Sequence, residues 1–288
     1  MPFLDVRNFI TEAIESVRAQ RYGAWELLLI NDGSTDGTAA LARGYAEREP
    51  KRIRLLGHPD GGRHGASASR NVGLAHARGE FIAFLDADDV WLPENLAEQV
   101  PRLQAVPGAG VLFSRTLYWY TWSGAAGVRD HTPRLRSEPG RVVPPPLHLA
   151  RSIQGRAAVP CTCSILIRRS LIEEVGGFED DFRQVYTDQV FYSKLFLTSG
   201  VLPVEGCWAK YRRHPASSTM TMAREQKARS ARLAYLSWLD QYARAHGAPS
   251  SLMRAVQREL WRCRHPAADY LLDQLAFLRR WVERARVG

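Results

Sequence analysis

Three carboxylates follow a short apolar run in the stretch GEFIAFLDADDVWLP, residues 79–93. Residues 81–85 have the length and β-rich composition of a buried strand, and Asp86, Asp88 and Asp89 come directly after it. Because neighbouring anions repel, a divalent cation that bridges the carboxylates to substrate phosphates would stabilise the cluster. The alternative is that the aspartates cap the helix that follows, where acidic residues favour the amino terminus. This stretch alone leaves both readings open.

A second acidic turn follows another apolar strand. The stretch LLLINDGSTDGT ends its strand in Asn31 and Asp32. In parallel sheets, ligands bind at the carboxyl ends of the strands, so Asp32 and Asp86 can face one cleft. An ordinary turn with a helix cap at Ser34 or Thr35 explains the same residues without a ligand.

The elements that must position these side chains alternate between helix and short apolar strand. Apolar residues recur at helical spacing in some segments and form continuous β-rich runs in others. This alternation predicts an α/β fold, with a mostly parallel central sheet covered by helices on both faces. The predicted helices are 9–20, 34–49, 67–77 and 93–103, and the predicted strands are 25–30, 52–56 and 81–85.

Composition limits the class of protein. The chain has 288 residues, of which 45% are apolar, enough for one large domain or for a domain with an appendage. No apolar run reaches the roughly 18 to 20 residues that a bilayer span needs, and the first residues, MPFLDVRNF, do not resemble a signal peptide. We therefore expect a cytoplasmic protein. Its four scattered cysteines are expected to be reduced packing residues, namely Cys161, Cys163, Cys207 and Cys263.

The last quarter of the chain is basic and helical. Residues 216–288 contain 13 Lys plus Arg and 6 Asp plus Glu, so 13 − 6 = +7 of the formal net charge of +9 lies there. This shift predicts a main domain over 1–215 and a basic helical extension over 216–288. The apolar stripe of the extension packs either on the main domain or on a second subunit, or it contacts an anionic membrane surface. The predicted helices are 224–246, 250–263 and 267–286, the last with Leu271, Leu275, Leu278 and Trp281.

Three stretches in order carry a resemblance to a known family. They are ELLLINDGSTDGT, GASASRNVGLAHARGEFIAFLDADDVWLPENL and GGFEDDFRQVYTDQVFYSKL. In this order and spacing they resemble the family 2 glycosyltransferases of GT-A fold, over roughly residues 1–215. The resemblance implies a Rossmann-like sheet and an inverting, metal-dependent transfer of sugar from a nucleotide-diphosphate donor, most often a UDP-sugar. The implied acceptor is a hydroxyl of a glycan, glycoconjugate or lipid-linked molecule in cell-surface polysaccharide biosynthesis.

The resemblance also implies the donor site. Asp32 matches the acid that accepts a hydrogen bond from the base of the nucleotide. Asp86 and Asp88 match the family's DxD motif, with Asp86 near the ribose and Asp88 on a Mn²⁺ or Mg²⁺ ion that Asp86 helps to hold. Asp89 is at most a helper. Arg70 matches an arginine that contacts the nucleotide or its phosphates, although an exposed helical arginine is the equal alternative.

The third stretch supplies a base. Asp188 takes the place of the catalytic aspartate, with Thr187 where the family usually has Glu. An acceptor hydroxyl that attacks the anomeric carbon needs a base within hydrogen-bond reach, and the departing diphosphate needs charge stabilisation. The late segment YRRHPASST places Arg212 and His214 as candidates to close over the diphosphate, and a solvated basic loop is the equal alternative.

Two features depart from the family pattern. The family begins with a full apolar strand, whereas this chain begins at Met1 with Pro2 at the matching proline. We therefore expect most of the first strand to be missing, through a misassigned start site or a trimmed chain, with unpaired backbone groups in neighbouring strands. Asn31 replaces a common aspartate and can still hydrogen-bond the ribose or a backbone group.

The middle of the chain lacks periodicity. Residues 124–159 are rich in Pro and Arg and predict a loop on the acceptor side, followed by a strand over 161–170. Just before this loop, Trp119, Tyr120 and Trp122 could stack on a sugar, but core packing is the favoured interpretation.

Other functions fit the sequence less well. A nucleotidyltransferase would also place a metal-binding acidic strand end on an α/β sheet, but it would need a Gly-rich, Lys-containing phosphate loop. Nucleic-acid binding is not expected, because no recognisable nucleic-acid motif accompanies the basic residues. A further alternative is a degenerate relative that acts through its basic tail.

Overall fold

Two sheets form the centre of the molecule, in a computed structural model that describes residues 1–182, 185–214 and 228–268. The first sheet has the order β1-β2-β3 and is parallel. The second has the order β4-β7-β6-β8-β5, in which β6 and β8 pair in parallel and the other pairs are antiparallel. The strands are β1 (Pro2–Phe3), β2 (Leu27–Asn31), β3 (Ile53–Gly57), β4 (Phe81–Ala83), β5 (Val90–Trp91), β6 (Ala109–Trp119), β7 (Ile165–Arg168) and β8 (Gly200–Arg212).

Helices cover both sheets, which confirms the predicted α/β fold. Along α1 the buried side chains recur at helical spacing, at Ile10, Ala13, Ile14 and Val17, as amphipathic periodicity requires. The helices in the described residues are α1 (Ile10–Arg18), α2 (Thr38–Arg48), α3 (Ala66–His76), α4 (Asn95–Gln104), α5 (Leu147–Ile153), α6 (Arg169–Val175), α7 (Thr187–Thr198), α8 (Ala228–Ala245) and α9 (Ser250–Arg264).

The second sheet separates two cores. Successive side chains of a strand point to opposite faces. Accordingly, Val111 and Phe113 of β6 lie in a core with α5 to α9, whereas Leu112 between them lies in a core with α1, α2 and α4. Ile165 and Ile167 of β7 follow the first pattern and Leu166 the second. Both faces are therefore buried, which explains why these strands read as continuous apolar runs.

The start of the chain contributes very little strand. β1 has two residues and pairs with β2 only at Pro2 with Ile30 and at Phe3 with Asn31. Among the described residues, no strand pair joins the two sheets.

The middle segment is more ordered than its sequence suggests. The predicted loop over 124–159 contains α5, which buries Leu149 and Ile153. The predicted strand over 161–170 is wrong at both ends. A short 3₁₀ turn occupies 162–164, β7 spans only Ile165–Arg168, and α6 begins at Arg169.

The described part of the basic extension packs on the main body. Leu236 and Leu239 of α8, with Leu252 and Val256 of α9, are buried in the same core as α7. Tyr235 adds a hydrogen bond between its hydroxyl and the Ser193 hydroxyl, 2.9 Å apart. Packing on the main domain is therefore confirmed for these two helices. The predicted helix over 267–286, with its apolar stripe, lies almost entirely outside the described residues, as does the predicted domain boundary at 215/216.

Candidate active site

The acidic residues predicted from the sequence lie where strands end. Asp32 directly follows β2, Asp86 follows β4 by three residues, and Asp88 lies two residues before β5. The amide of Asp89 donates to the carbonyl of Asp86 at 3.0 Å, which closes a tight turn around Asp88. This turn exposes about a fifth of the Asp88 side chain and a third of the Asp86 side chain. Both carboxylates are therefore partly open to solvent at one end of the second sheet.

Arg70 connects α3 to this turn. Its Nη2 donates to Oδ1 of Asp86 at 2.6 Å, and its side chain is only 6% exposed. Burial acts against the charge of Arg70, but the nearby Asp86 carboxylate outweighs it, so the pKa of Arg70 lies above its usual value. The alternative of an exposed helical arginine is wrong. The Nε of Arg70 is buried and has no hydrogen-bond partner among the described residues.

Asp188 belongs to the same charged group. It is the second residue of α7, and its Oδ1 accepts a hydrogen bond from the Gln189 amide at 2.8 Å. Burial raises the pKa of Asp188, although that hydrogen bond and the positive charge of Arg70 oppose the effect, while Asp86 adds to it. The charge of Arg70 therefore affects the pKa of Asp188, and its guanidinium pairs directly with Asp86.

Asp88 contacts the last described residue before the gap. His214 Nε2 lies 2.9 Å from Oδ2 of Asp88. The His214 ring is held between two aromatic rings, with its centroid 5.3 Å from that of Phe9 and 6.5 Å from that of Trp122. His214 therefore reaches the acidic turn, and its contact with a diphosphate stays a prediction.

Arg212 is engaged differently from the prediction. Its guanidinium lies 4.5 Å from the Trp119 ring centroid and 5.0 Å from those of Phe9 and Trp122, and its side chain is only 4% exposed. Nε donates to the backbone carbonyl of Asp88 at 2.7 Å, and Nη2 donates to Glu12. In this arrangement Arg212 supports the turn that carries Asp88. The aromatic residues Trp119 and Trp122 enclose this cation instead of forming part of the apolar core.

Asp89 is a structural residue. It is 1% exposed, and its Oδ1 accepts the backbone amide of Arg212 at 2.9 Å. Burial raises the pKa of Asp89 well above its ordinary value, and the charges of Asp88 and Asp86 raise it further. This carboxylate therefore ties the end of β8 to the acidic turn and is not open to a ligand.

Asp32 organises the loop that follows β3. Its Oδ1 accepts the amides of His64 at 2.8 Å and Gly65 at 3.1 Å, and its Oδ2 accepts the Gly65 amide at 3.0 Å. His58 Nε2 lies 3.3 Å from Oδ1. The side chain is 6% exposed, so a nucleotide base could reach it only at the edge of this network. The side chain of the neighbouring Asn31 accepts a hydrogen bond from the Ser34 amide at 2.9 Å. Of the two partners predicted for Asn31, the ribose and a backbone group, this is the backbone group.

Asn71 positions the segment before Asp188, a role that its place beside Arg70 in the sequence did not predict. Its Nδ2 donates to the carbonyl of Phe178 at 2.9 Å, and its Oδ1 accepts the Phe178 amide at 2.8 Å. A Cβ added to Gly177 would lie 2.3 Å from that Oδ1, so the neighbouring glycine is required for this close approach. The sequence signal was present, because Asn71 directly follows Arg70, but the partner lies 107 residues away.

The carboxylates at this edge fit a divalent cation that a substrate would complete. Among the described residues, no group of three or more His, Cys, Asp or Glu side chains is arranged to hold a metal ion by itself. Mg²⁺ and related cations are commonly held by one or two carboxylates together with substrate phosphates. Asp88 and Asp86 provide such a pair, and both are partly exposed.

The sequence matches a known family and several curated proteins. A sequence model described as glycosyl transferase family 2 matches residues 1–176. An uncharacterized glycosyltransferase of Nostoc is 29% identical over 229 residues, which cover 77% of this chain and 67% of the relative. The UDP-Glc:alpha-D-GlcNAc-diphosphoundecaprenol beta-1,3-glucosyltransferase WfgD of Escherichia coli is 38% identical over 103 residues, or 36% of this chain and 39% of the relative. The chain thus matches well under half the length of WfgD.

Solved structures share the fold. TarS of S. aureus in complex with UDP-GlcNAc superimposes with a TM-score of 0.68 at 17% identity, covering 92% of this chain and 71% of that chain. The mannosyltransferase PcManGT of Pyrobaculum calidifontis, in complex with GDP-Man and Mn²⁺, gives a TM-score of 0.58 at 18% identity, covering 97% of this chain and 81% of that chain. At these identities the likeness concerns the fold, and it confirms the predicted GT-A type. None of the helices in the described ranges combines the length and apolar character that crossing a bilayer requires.

Proposed function

The chain belongs to glycosyl transferase family 2, and on that premise we propose that it transfers a sugar from a UDP-sugar to a hydroxyl group, with inversion at the anomeric carbon. The observation that carries the proposal is the hydrogen-bonded ion pair of Arg70 with Asp86 at 2.6 Å, together with Asp188, whose pKa the charges of Arg70 and Asp86 shift. Base-catalysed displacement of a nucleoside diphosphate requires a carboxylate near the donor site.

Asp188 is the proposed base. It accepts the proton of the acceptor hydroxyl as that oxygen attacks the sugar, and the attack takes place on the face opposite the departing diphosphate. The proposal is supported by the position of Asp188 in the first turn of α7, beside the charged group. Its raised pKa also makes it a stronger base than an ordinary surface carboxylate.

The donor nucleotide is assigned to the residues around Asp86. Arg70 holds Asp86 and has an unpartnered Nε, which supports a contact with an oxygen of the nucleotide. Asp88, with Asp86, would hold Mn²⁺ or Mg²⁺, and the bound cation would stabilise the negative charge of the departing diphosphate. His214 is proposed to contact the diphosphate from the side of Asp88, whereas Arg212 supports the turn. Asp32 is proposed to meet the base of the nucleotide.

The proposed donor and acceptor draw on the relatives. WfgD is named for UDP-Glc and a diphosphoundecaprenol acceptor, and TarS was solved in complex with UDP-GlcNAc and with UDP. We infer a UDP-sugar donor and a glycan, glycoconjugate or lipid-linked acceptor in cell-surface polysaccharide biosynthesis. Nucleic acid is not a proposed partner.

A lipid-linked acceptor would bring the protein to a membrane surface. One face of α9 exposes Arg254, Arg258 and Arg264, and among them Trp261 is 41% exposed. Exposed arginines with an aromatic ring are typical of a peripheral contact with anionic lipid. We propose this face as the contact. Sedimentation with vesicles of anionic lipid should be weakened by Trp261→Ser, and equal binding to neutral vesicles would argue instead for another role, such as a dimer interface.

The function is tested first by ligand-dependent thermal stability. A ligand that binds only the folded chain raises its melting temperature in proportion to ln(1 + [L]/Kd). We expect UDP with Mn²⁺ to stabilise the chain, and Asp88→Asn to lose the metal-dependent part of that shift. Asp240→Asn, a change of the same type on α8, where Asp240 contacts Arg244 and Gln257, should retain it. A shift with another nucleotide alone would overturn the UDP assignment.

The reaction itself is tested by its products. Sugar transfer releases UDP from the donor, whereas a nucleotidyltransferase would release pyrophosphate. We expect UDP release that depends on a divalent cation and is accelerated by acceptor. Donor binding without release of either product, for any acceptor tested, would favour a non-catalytic relative.

A further inference from the structure

A strained residue precedes the helix that carries the proposed base. Tyr186 comes directly before α7, and its backbone φ of 60° lies in the left-handed region. Bulky residues rarely adopt this conformation, because it brings Cβ too close to a backbone carbonyl oxygen. Such a conformation persists only where surrounding groups enforce it. Contacts from outside α7 must therefore stabilise Tyr186.

The conformation of Tyr186 sets how the chain enters α7. The Tyr186 carbonyl accepts the amide of Val190 at 2.8 Å, which closes the first turn of the helix. Asp188 lies within that turn, and its Oδ1 accepts the Gln189 amide at 2.8 Å. Rotation of Tyr186 out of the left-handed region would break this turn or redirect it. The position of the Asp188 carboxylate therefore depends on the backbone of Tyr186.

Helix α8 of the basic extension supplies one stabilising contact. The ring of Tyr235 stacks on the ring of Tyr186, with the centroids 5.1 Å apart and the planes inclined by 10°. Tyr235 is 2% exposed, and its hydroxyl lies 2.9 Å from that of Ser193, so its ring is fixed relative to α7. One turn further along α8, Trp238 packs edge-on against Phe182, with the centroids 6.0 Å apart. Helix α8 thus restrains the chain both at Tyr186 and ahead of it.

Arg232, one turn before Tyr235 on α8, acts on the hydroxyl end of the Tyr186 side chain. Burial raises the pKa of the Tyr186 hydroxyl, and the charge of Arg232 and its hydrogen bond to that hydroxyl oppose the rise. Nη2 of Arg232 also donates to the Ile153 carbonyl at 2.8 Å and to Glu259 at 2.9 Å. The guanidinium is therefore itself held in place by α5 and α9.

We propose that α8 is a positioning element for the proposed base, in which Tyr235 and Arg232 hold Tyr186 in the left-handed conformation that places Asp188. The inference rests on the proposed role of Asp188. Tyr235 and Arg232 are positioning residues, because they act on Asp188 through Tyr186. It follows that the basic extension is part of the catalytic unit and contributes more to it than packing.

A glycine substitution tests this role through the rate of transfer. Tyr235→Leu removes the stack, and we expect kcat to fall about tenfold or more, since misplacing a reacting group by roughly 1 Å can cost about 100-fold. The dissociation constant for UDP should change little. Tyr186→Gly adopts a positive φ without strain, so adding Tyr235→Leu to it should leave kcat close to that of Tyr186→Gly alone. Tyr235→Phe keeps the ring and should keep most of the rate.

Hydrogen exchange at the Val190 amide tests the same role without any activity. Tyr235→Leu should speed this exchange, whereas Tyr242→Leu, the same change two turns further along α8, should not. Arg232→Gln should also speed it, at a side chain that is 35% exposed and whose loss opens no cavity in the core.

Two results would overturn the proposal. The first is exchange at Val190 that is equal in the original chain, in Tyr235→Leu and in Arg232→Gln, because Tyr186 would then keep its conformation unaided. The second is a loss of kcat in Tyr235→Leu that is just as large in the Tyr186→Gly background, which would reduce Tyr235 to a general packing residue. If the original chain transfers no sugar, the proposed function fails, and the exchange measurement still decides whether α8 holds the start of α7.

Discussion

The guanidinium of Arg70 lies 2.6 Å from the carboxylate of Asp86, so a buried cation on α3 is fixed against the first aspartate of the acidic turn. Asp188 lies within the electrostatic reach of the same cation. Arg70 therefore contacts the proposed donor site directly and acts on the proposed base through its charge.

Replacing Arg70 should weaken nucleotide binding. Arg70→Lys keeps the charge but loses the planar fork, and the shorter head group cannot keep the same contact with Asp86. We expect the affinity for UDP with Mn²⁺ to fall about tenfold or more, corresponding to roughly 1.4 kcal/mol. Titration calorimetry measures it, with Arg78→Lys as the control because Arg78 is exposed. Unchanged affinity would remove Arg70 from the donor site.

Asp188→Asn should abolish most transfer while keeping the donor bound. Loss of a general base typically lowers the rate about 10² to 10⁴-fold. Asparagine has nearly the same shape, so the dissociation constant for UDP should stay close to that of the original chain. UDP release measures the loss of transfer, and calorimetry measures the retained binding of UDP, with Asp240→Asn as the control in both. Turnover at the original rate would show that Asp188 is not the base.

The raised pKa of Asp188 predicts how stability depends on pH. A carboxyl group whose pKa is higher in the folded than in the unfolded state stabilises the fold below its unfolded pKa, and this contribution is lost as pH rises through the folded value. At neutral pH the ionised Asp188 therefore destabilises the fold. Asp188→Asn should melt at a higher temperature than the original chain near pH 7, and the difference should shrink in acid. A melting temperature of Asp188→Asn below that of the original chain at pH 7 would contradict this prediction.

Gly177→Ala should destabilise the segment that leads to Asp188. The new Cβ would displace the Asn71 amide, which makes two hydrogen bonds to Phe178. Leaving buried groups unpaired costs about 1 to 3 kcal/mol, measurable by urea unfolding. Gly44→Ala is the matched control, because it lies in α2 with nothing within 4 Å of the added Cβ. That change should be neutral or stabilising, since alanine favours the helix. Equal stability of the two variants would mean that Asn71 does not restrain this segment.

Arg212→Lys distinguishes between two roles of Arg212, support of the acidic turn and contact with the diphosphate. Lysine cannot bond the Asp88 carbonyl and Glu12 together within the aromatic residues. We expect a lower melting temperature without any nucleotide present, while Arg244→Lys on the exposed side of α8 should have little effect. An unchanged melting temperature with weaker UDP binding would instead indicate a direct contact with the diphosphate.

Local signals in the sequence were sufficient for about the first third of the chain. Helices α1 to α4 and strands β2 to β4 were predicted within a few residues, because their apolar patterns are strong and continuous, whereas the two-residue β5 was not predicted. The strand predicted over 161–170 was wrong at both ends because its local sequence signal is weak. Its apolar run is short, and Arg169 begins α6 directly after the last strand residue, Arg168.

The candidate site was predicted as a set of residues but not as a set of contacts. Asp32, Asp86, Asp88 and Asp188 lie at strand ends and at a helix start, where the order of motifs placed them. The contacts of Arg212 could not be predicted, because its partners Asp88 and Glu12 are 124 and 200 residues away in sequence. The residues next to Arg212 in the sequence, Tyr211 and Arg213, do not indicate whether its side chain meets solvent, a phosphate or three aromatic rings.

The sequence by itself determined the family, the α/β class and the residues available for chemistry, since each depends on patterns along the chain. The tertiary structure alone decided how they are used: that Arg70 pairs with Asp86, that Asn71 holds Phe178, and that Arg212 supports the turn that carries Asp88. The physical reason is that a charge or an amide takes its role from whichever group folding brings within about 3 Å, and that group is usually distant in sequence.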